Sequence, residues 1–267
     1  MSGWQRLDDE LACWREAGRT AELWWRDDDA VDTGPELDRL LALHRETAMP
    51  LALAIVPAHA TPALADRLAT EPGVDLLQHG YAHVNHAAPG EGKKEELGPH
   101  RPAMIVLGEV GTGWLAMERL FGRRALSVMV PPWNRIAPAL VPTLPEIGFS
   151  GLSTFGRRQR ARPVRGLLQI NTHVDLINWQ AKTDSKGNRG FVGEEAALTA
   201  LVGALSHARK ETAEPVGLLS HHLAMDDGAW DFLRLFWQRT KTMPGLRVRS
   251  ACELFAGKKS EGGETRA

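Results

Sequence analysis

Three consecutive carboxylates follow an apolar stretch near the start of the chain. Residues 23–26 (Leu-Trp-Trp-Arg) run directly into Asp27, Asp28 and Asp29. A buried strand that ends in this way gathers negative charge at one point, and repulsion raises carboxylate pKa values unless a cation neutralises them. The triplet therefore indicates a metal site at the end of a strand. A solvated turn or a helix N-cap ahead of Pro35 is the alternative.

Two histidines lie four residues apart after a second apolar stretch, residues 74–77. On an extended strand, His79 and His83 would be about 13 Å apart, whereas on a helical turn positions i and i+4 are neighbours. Chelation by both histidines therefore requires the strand to end near Gln78. Two imidazoles at this spacing, with carboxylates elsewhere, indicate a metal site, and surface or internally satisfied histidines are the alternative.

A third apolar stretch, residues 126–130, is followed by Pro131-Pro132-Trp133-Asn134. Prolines lack the N–H group and stiffen the chain where it leaves the strand. The side chain and backbone amide of Trp133 would then be held at a fixed place on the rim of the sheet, where the strand ends. An ordinary end of a strand is the alternative.

Histidines and carboxylates also follow the later apolar stretches. Asp175 comes after one of them, and His221 and His222 come after another. An aspartate that accepts a hydrogen bond from one imidazole nitrogen fixes the tautomer and leaves the other nitrogen to donate a proton at neutral pH. Asp175 and His221 could form such a pair. Histidines that simply face solvent are the alternative.

Strand-like and helix-like stretches alternate along the chain, which predicts parallel βα units. The predicted strands are 22–26, 51–56, 74–77, 126–130, 151–153, 167–171 and 216–219. After an amphipathic helix at the N-terminus, the predicted helices are 35–47, 62–69, 101–121, 138–147, 193–211 and 230–241. About seven such units favour an α/β fold, a distorted (β/α) barrel of about seven parallel strands, whose chemistry lies at the C-terminal ends of the strands.

Taken in order, five short motifs resemble those of the polysaccharide deacetylase family, which includes chitooligosaccharide and peptidoglycan deacetylases. The motifs are Asp28-Asp29, His79-x-x-x-His83, Pro131-Pro132-Trp133, Asp175-x-x-Asn178-Trp179 and Leu219-x-His221. Each motif alone is unspecific, but five in the right order are hard to reach by chance. The resemblance covers residues 25–222 and implies a distorted barrel that binds one divalent metal, usually zinc, and removes N-acetyl or O-acetyl groups from sugars.

The resemblance also implies roles for individual residues. Asp28 matches the position of the general base, and Asp29, His79 and His83 match those of the metal ligands. A shift by one along the three aspartates would instead make Asp27 the base.

In the later motifs, the backbone amide of Trp133 falls where the family stabilises the oxyanion. His221 falls where the family places the general acid, and Asp175 where an acidic residue tunes that histidine. Four side chains are predicted to bind the substrate: Trp133, Asn134, Trp179 and His222.

The sequence departs from the family's pattern at several positions. The usual arginine before the Pro-Trp position is absent, and Arg26 or Arg135 could replace it. Other departures are Ala30 for a usual Gly, Gly80 for a usual Ser or Thr, Asn178 for a usual Asp, and His222 where Asp is common. These departures indicate a divergent branch of the family. They leave the prediction of hydrolytic chemistry better supported than the prediction of a polymeric substrate.

Charge and cysteine content limit the partners and the compartment. Lysine plus arginine (32) nearly balances aspartate plus glutamate (33), which argues against nucleic acid or a membrane surface as a partner and favours a small molecule or an oligosaccharide.

Cys13 and Cys252 are predicted to be free thiols. Neither a secretory signal nor a membrane-spanning run is found in the sequence, so we expect a cytoplasmic protein. The pattern does not determine the oligomeric state.

We expect residues 1–256 to form a single domain and the polar residues 257–267 to form a disordered tail. Residues 87–100 are predicted to form an exposed loop, of the kind that often shapes a substrate cleft. Residues 155–163 contain four arginines. They form either a solvated basic loop or a surface that steers an acidic substrate.

The predicted activity is metal-dependent hydrolysis of an acetyl group from a sugar or a related small molecule. One alternative is a metal-dependent hydrolase of linear, non-sugar amides. Another is a catalytically silent carbohydrate-binding protein that stacks sugars on Trp133, Trp179 and Trp230. A Ser-His-Asp hydrolase is disfavoured because the sequence has no G-x-S-x-G motif.

Overall fold

The computed structural model describes residues 1–90, 92–185 and 187–256. Its strands are β1 (Ala21–Ala30), β2 (Leu51–Ile55), β3 (Val74–His79), β4 (Ala125–Val130), β5 (Gly151–Leu152), β6 (Leu168–Gln169), β7 (Val174–Asp175), β8 (Val216–Ser220) and β9 (Leu246–Val248). The α-helices are α1 (Gly3–Glu16), α2 (Pro35–Thr47), α3 (Pro62–Ala69), α4 (Ala103–Phe121), α5 (Glu194–His207), α6 (Asp227–Thr240) and α7 (Ala251–Phe255). Short 3₁₀ segments occupy Pro57–His59, Gly122–Arg124, Pro132–Asn134 and Pro138–Ile147, and a π-helical turn, Ala208–Thr212, extends α5.

The strands form one parallel sheet in the order β6-β5-β4-β3-β2-β1-β8-β7, and β9 pairs with the beginning of β1. The sheet is a half-barrel in which no ladder joins β6 to β7 within the described ranges. At the seam between these two strands the chain itself continues from one to the other through residues 170–173, which hydrogen-bond to the β5 side through Leu152 and Thr154 and to β8 through Gly217. The predicted α/β barrel-like class is confirmed. The strands number nine in these ranges because β7 and β9, with two and three residues, are too short to show a pattern in the sequence.

Alternation along β1 sends its side chains to two different surroundings. Trp24 packs with the cluster that contains Ala52 and α7, on the inner face of the curved sheet. Trp25 packs on the outer face, in the large cluster shared with α6. Because side chains on a strand alternate with period two, Arg26 and Asp28 follow Trp24 inward.

The predicted helices 35–47 and 62–69 coincide with α2 and α3, where proline at the first turn marks the start. The predicted helix 138–147 is a 3₁₀ segment, because Pro142 and Pro145 interrupt the hydrogen-bonding pattern of an α-helix. Cys13 and Cys252 are both free thiols, as predicted. The predicted tail, 257–267, lies outside the described residues.

No helix in the described ranges has the length and apolar character that crossing a bilayer requires.

Candidate metal and catalytic site

The three aspartates all belong to β1, so the alternative of a solvated turn or a helix N-cap is wrong. Regular alternation would send Asp28 and Asp29 to opposite faces of the sheet. Asp29 instead has a φ of 76°, and the pairing of β1 with β2 shifts between Asp27 and Ala30. This irregularity turns the Asp29 carboxylate toward β3. A left-handed conformation costs a residue other than glycine about 1–2 kcal/mol, so the surrounding sheet must maintain it.

Asp29, His79 and His83 converge at the carboxyl ends of β1 and β3. Oδ1 of Asp29 lies 3.1 Å from Nε2 of His79 and 3.2 Å from Nε2 of His83. The candidate ligand atoms of the three residues all lie within 4.8 Å of one another. His79 is buried, while the other two side chains are partly exposed, so the cluster opens to one side.

The two histidines meet through a turn rather than through the helical geometry that the sequence suggested. β3 ends at His79, two residues beyond the predicted strand 74–77, and the chain reverses at Gly80, with a φ of 57°. His83 is itself left-handed, with a φ of 57°. A side chain on residue 80 would also collide with neighbouring atoms, because its Cβ would lie 2.1 Å from Oε2 of Glu96. Glycine at this position is therefore required by space as well as by conformation.

A buried carboxylate holds this turn. Glu96 accepts hydrogen bonds from the backbone N–H groups of Tyr81, at 3.0 Å, and Ala82, at 2.7 Å. Glu96 is only 1% exposed, and Leu97 is buried beside it, so the prediction that residues 87–100 form an exposed loop is wrong for this part. The burial is possible because backbone donors compensate the carboxylate.

The donor set of Asp29, His79 and His83 suits a divalent cation. Nδ1 of His79 lies 2.9 Å from the carbonyl oxygen of Val130, which can only accept, so Nδ1 carries a proton and Nε2 is the nitrogen that would bind a metal. Two imidazole nitrogens and one carboxylate oxygen also leave coordination positions open for water or substrate.

Electrostatics at the cluster favour positive charge. Burial would raise the pKa of Asp29, but the hydrogen bond and charge of His79 outweigh it and hold that pKa well below its usual range. Burial opposes the charging of His79, yet the carboxylates of Asp28 and Asp29 raise its pKa. The pKa of His83 is lowered by burial and by His79. The carboxylates thus attract one cationic charge into the cluster.

Asp28 is clamped by an arginine from its own strand. Nε of Arg26 lies 2.8 Å from Oδ1 of Asp28, and Nη2 donates to Oδ2 at 2.9 Å. The same guanidinium donates to Oγ of Ser153 at 2.7 Å and to Oδ1 of Asn134 at 2.6 Å. Ala52 pairs with Arg26 across the sheet, and its small side chain leaves room for the guanidinium.

Of the two arginines that could replace the missing one, Arg26 is therefore the one that contacts Asp28. Arg135 instead donates to the carbonyl oxygen of Lys94. Asn134, which was predicted to bind the substrate, uses its side-chain oxygen to hold Arg26.

Asp27 faces the outer side and joins a separate buried network. It accepts hydrogen bonds from Oγ of Ser220 and the backbone N–H of His222, and its carboxylate lies 2.5 Å from Nδ1 of His222. Both residues are almost completely buried. The side chain of His222 is held by Asp27 in this outer network, so it is not proposed to bind the substrate. Asp27 is a weaker candidate base than Asp28, because Asp28 and not Asp27 acts on the charge of His79 in the metal-ligand cluster.

His221 and Asp175 lie together at the ends of β8 and β7. Nδ1 of His221 is 3.9 Å from Oδ1 of Asp175, an ion-pair distance that is too long for the predicted hydrogen bond. The oxygens of Asp175 instead accept from the backbone N–H of Ile177 at 2.9 Å and from Nε1 of Trp179 at 2.7 Å. Burial raises the pKa of Asp175, against the opposing charge of His221.

Two tryptophans flank the site on opposite sides. The ring of Trp179 packs edge-on against His221, with centroids 4.7 Å apart, and 43% of the residue is exposed. The ring of Trp133 lies 4.3 Å from that of His83. Trp133 and Asn134 are both left-handed, with φ values of 54° and 58°, immediately after the two prolines. Trp133 is thus held at the rim, as predicted.

No family model matches this sequence, and no curated protein matches it. Several solved structures do match. A candidate polysaccharide deacetylase from Mycobacterium smegmatis is 19% identical with a TM-score of 0.65, covering 90% of both chains. A peptidoglycan N-acetylglucosamine deacetylase bound to a hydroxamate-type benzamide is 16% identical with a TM-score of 0.53, covering 89% of both chains. A family 4 acetyl xylan esterase from Clostridium thermocellum, in complex with a cobalt ion, is 11% identical with a TM-score of 0.51, covering 88% of this chain and 90% of that one.

The half-barrel with its polar side chains at the carboxyl ends of the strands defines an α/β barrel-like protein. More specifically, its fold is that of the polysaccharide deacetylases, as the resemblance of the motifs predicted. At sequence identities below 20%, this similarity supports a shared fold but not a shared activity.

The motifs did not reveal two of the residues that support the site, Glu96 and Ser153. Glu96 lay hidden in a charged run that resembles a surface loop. The sequence indicated Glu96 only indirectly. Position 80, where the family's motif usually has serine or threonine, is a glycine and so leaves space for another side chain. Ser153 was predicted only as the end of a strand.

Proposed function

We propose that this protein is a metal-dependent deacetylase, a hydrolase of carbon–nitrogen bonds other than peptide bonds, which acts on an N-acetylated sugar. An O-acetylated sugar is the related possibility for the same site. One observation carries the proposal: a three-residue metal-ligand cluster opens beside a separate carboxylate, Asp28, which is fixed in place by Arg26. A structural metal site has no need of this second, clamped carboxylate.

Asp29, His79 and His83 are the proposed ligands of one divalent ion. Mixed imidazole and carboxylate donors with open positions are typical of catalytic zinc. When bound, the ion would polarise the acetyl carbonyl and lower the pKa of a water molecule. Zinc is therefore the proposed cofactor.

Asp28 is the proposed general base. The two contacts from Arg26 keep its carboxylate in one orientation, with further lone pairs on its oxygens available to accept a proton from the attacking water. Trp133 is the proposed source of oxyanion stabilisation, through its backbone N–H, because the left-handed turn after Pro132 fixes that amide at the rim.

His221 is the proposed general acid. Because Asp175 lies on the Nδ1 side of the ring, Nε2 is the nitrogen left to protonate the departing amine. Asp175 acts as a positioning residue that provides negative charge near His221 and holds the Trp179 ring against it. No covalent intermediate with the protein is required.

Two tryptophan rings near the site support a sugar substrate, of which Trp179 is exposed and Trp133 is half-buried. Trp133 and Trp179 can each offer an apolar face to a sugar ring. Trp230, the third tryptophan considered for stacking, is 3% exposed and belongs to the core. The similar structures from other proteins include enzymes of peptidoglycan and xylan, which agrees with this substrate class.

The proposal is tested by measuring the metal content of the purified protein and then screening acetate release from acetylated sugars and simple amides. We expect about one zinc per chain and acetate release from acetamido sugars, both of which His79→Ala and His83→Ala should abolish. Faster turnover of linear amides would favour a non-sugar amide hydrolase. Sugar binding with bound metal but no acetate release would favour a carbohydrate-binding protein.

A further inference from the structure

The arginine-rich segment, residues 155–165, contains two kinds of arginine. Arg158 is largely buried, and its guanidinium interacts with Glu214 and the carbonyl oxygen of Gln169. Arg157 and Arg160 are exposed, and among the described residues neither forms a hydrogen bond or an ion pair. Their charges are therefore available to a ligand.

Arg157 and Arg160 line a groove that extends to Asn134, which contacts Arg26. They border a cavity of about 380 Å³ whose lining includes Gln169 and no carboxylate. A neighbouring cavity of about 390 Å³ shares Thr154, Pro163 and Gln169 with the first and reaches Asn134. The two cavities therefore adjoin, and we call them together the groove; the second is also lined by Glu95 and Arg135.

The near end of this groove adjoins the proposed base. Asn134 and Ser153 both accept hydrogen bonds from Arg26, the residue that clamps Asp28. Ser153 and Arg157 are four positions apart along the chain, so their backbones are at most about 14 Å apart. One substrate molecule of moderate length can therefore reach both ends.

We propose that the substrate is an acidic N-acetylated oligosaccharide, whose carboxylate or phosphate binds to Arg157 and Arg160 while its acetyl group lies at Asp28. This inference rests on the proposed deacetylase function and specifies its substrate. Guanidinium groups bind both anions through paired, charge-assisted hydrogen bonds. Since the chain as a whole is nearly neutral, the preference comes from this local surface.

The test is calorimetric titration of the Asp28→Asn protein, in which turnover is suppressed, with three related disaccharides. These are neutral N,N′-diacetylchitobiose, its oxidised form ending in a carboxylate, and its 1-phosphate. We expect at least one acidic form to bind about tenfold more tightly than the neutral form, and this advantage to decrease with added salt. The double substitution Arg157→Gln and Arg160→Gln should remove the advantage, while Arg165→Gln, an exposed arginine outside the groove, should preserve it.

Equal binding of the neutral and acidic disaccharides would overturn the proposal, and so would an advantage that survives the double substitution. Failure of the deacetylase function is distinguishable from both results. In that case the acidic preference would depend on Arg157 and Arg160, but the unsubstituted protein would release no acetate.

Discussion

Arg26 performs a task that residue type alone could not reveal. Its position two residues before Asp28 on one strand puts both side chains on the same face, where the guanidinium contacts Asp28, Ser153 and Asn134. We propose that this guanidinium replaces, from a different strand, the arginine that the resemblance leads one to expect before the Pro-Trp position. The sequence narrowed the replacement to Arg26 or Arg135, but only the direction of the side chains decides between them.

Arg26→Lys should reduce turnover by roughly 10- to 100-fold while leaving bound metal unchanged. A lysine has the charge but cannot make the paired contact with Asp28 and reach Ser153 and Asn134 together, and small misplacements of a catalytic group have effects of this size. Steady-state kinetics with metal analysis measures the effect. Arg135→Lys is the matched control and should have near-normal turnover. Equal effects of the two substitutions would contradict this role for Arg26.

His221→Ala should slow the hydrolysis of acetamides far more than that of activated acetate esters, because only the poor amine leaving group needs a donated proton. The ester reaction of the same variant is the internal control for folding and metal content. Comparable losses with both substrates would exclude His221 as the general acid.

At the scale of the elements, the turn after β3 shows what the sequence could and could not predict. The spacing of His79 and His83 correctly predicted that the two side chains lie close enough to share a metal, but it suggested a helical turn. The actual turn depends on positive φ values at Gly80 and His83, and on Glu96, which is distant in sequence. Patterns of apolar residues contain no information about such contacts, whereas they located α2 and α3 correctly.

Glu96→Gln should weaken metal binding by about tenfold or more, because residues that orient metal ligands have effects of this order when changed. The glutamine keeps one acceptor oxygen but places its NH2 group against the other of the two backbone N–H groups, of Tyr81 or Ala82, and so loosens the turn that carries His83. Competition with a zinc chelator measures the dissociation constant. Glu95→Gln, whose side chain lies 3.8 Å from His100 instead, is the control. Unchanged zinc affinity in Glu96→Gln would show that the turn does not need this carboxylate.

At the scale of the whole molecule, one extended run of the chain passes from β6 to β7 and changes its pairing partner on the way, from the β5 side to β8. The sequence predicted the parallel βα architecture because each longer strand has a clear apolar run. It could not predict this change of partner at the seam, since β6 and β7 have only two residues each and their boundaries depend on distant partners. The compartment and the single-domain organisation stay predictions.

Arg158 spans this seam, because it interacts with Gln169 on β6 and with Glu214, which lies 3.5 Å from His173 just before β7. Arg158→Ala should lower the free energy of unfolding by about 1–3 kcal/mol, through the loss of charged contacts to buried groups. Urea denaturation measures this difference. Arg162→Ala, at an exposed position in the same segment, should change stability by less than about 0.5 kcal/mol. If both variants unfold at the same urea concentration as the unsubstituted protein, Arg158 does not stabilise the seam.

The central claim is that neighbouring aspartates have separate tasks, with Asp28 accepting a proton and Asp29 binding metal. The most direct measurement determines bound zinc and acetate release together in Asp28→Asn and Asp29→Asn, with folding checked by circular dichroism. We expect Asp28→Asn to retain zinc while turnover falls about 100-fold or more, and Asp29→Asn to lose the metal. Loss of zinc from Asp28→Asn with retention in Asp29→Asn would contradict these assignments, and unchanged hydrolysis in both variants would contradict the mechanism itself.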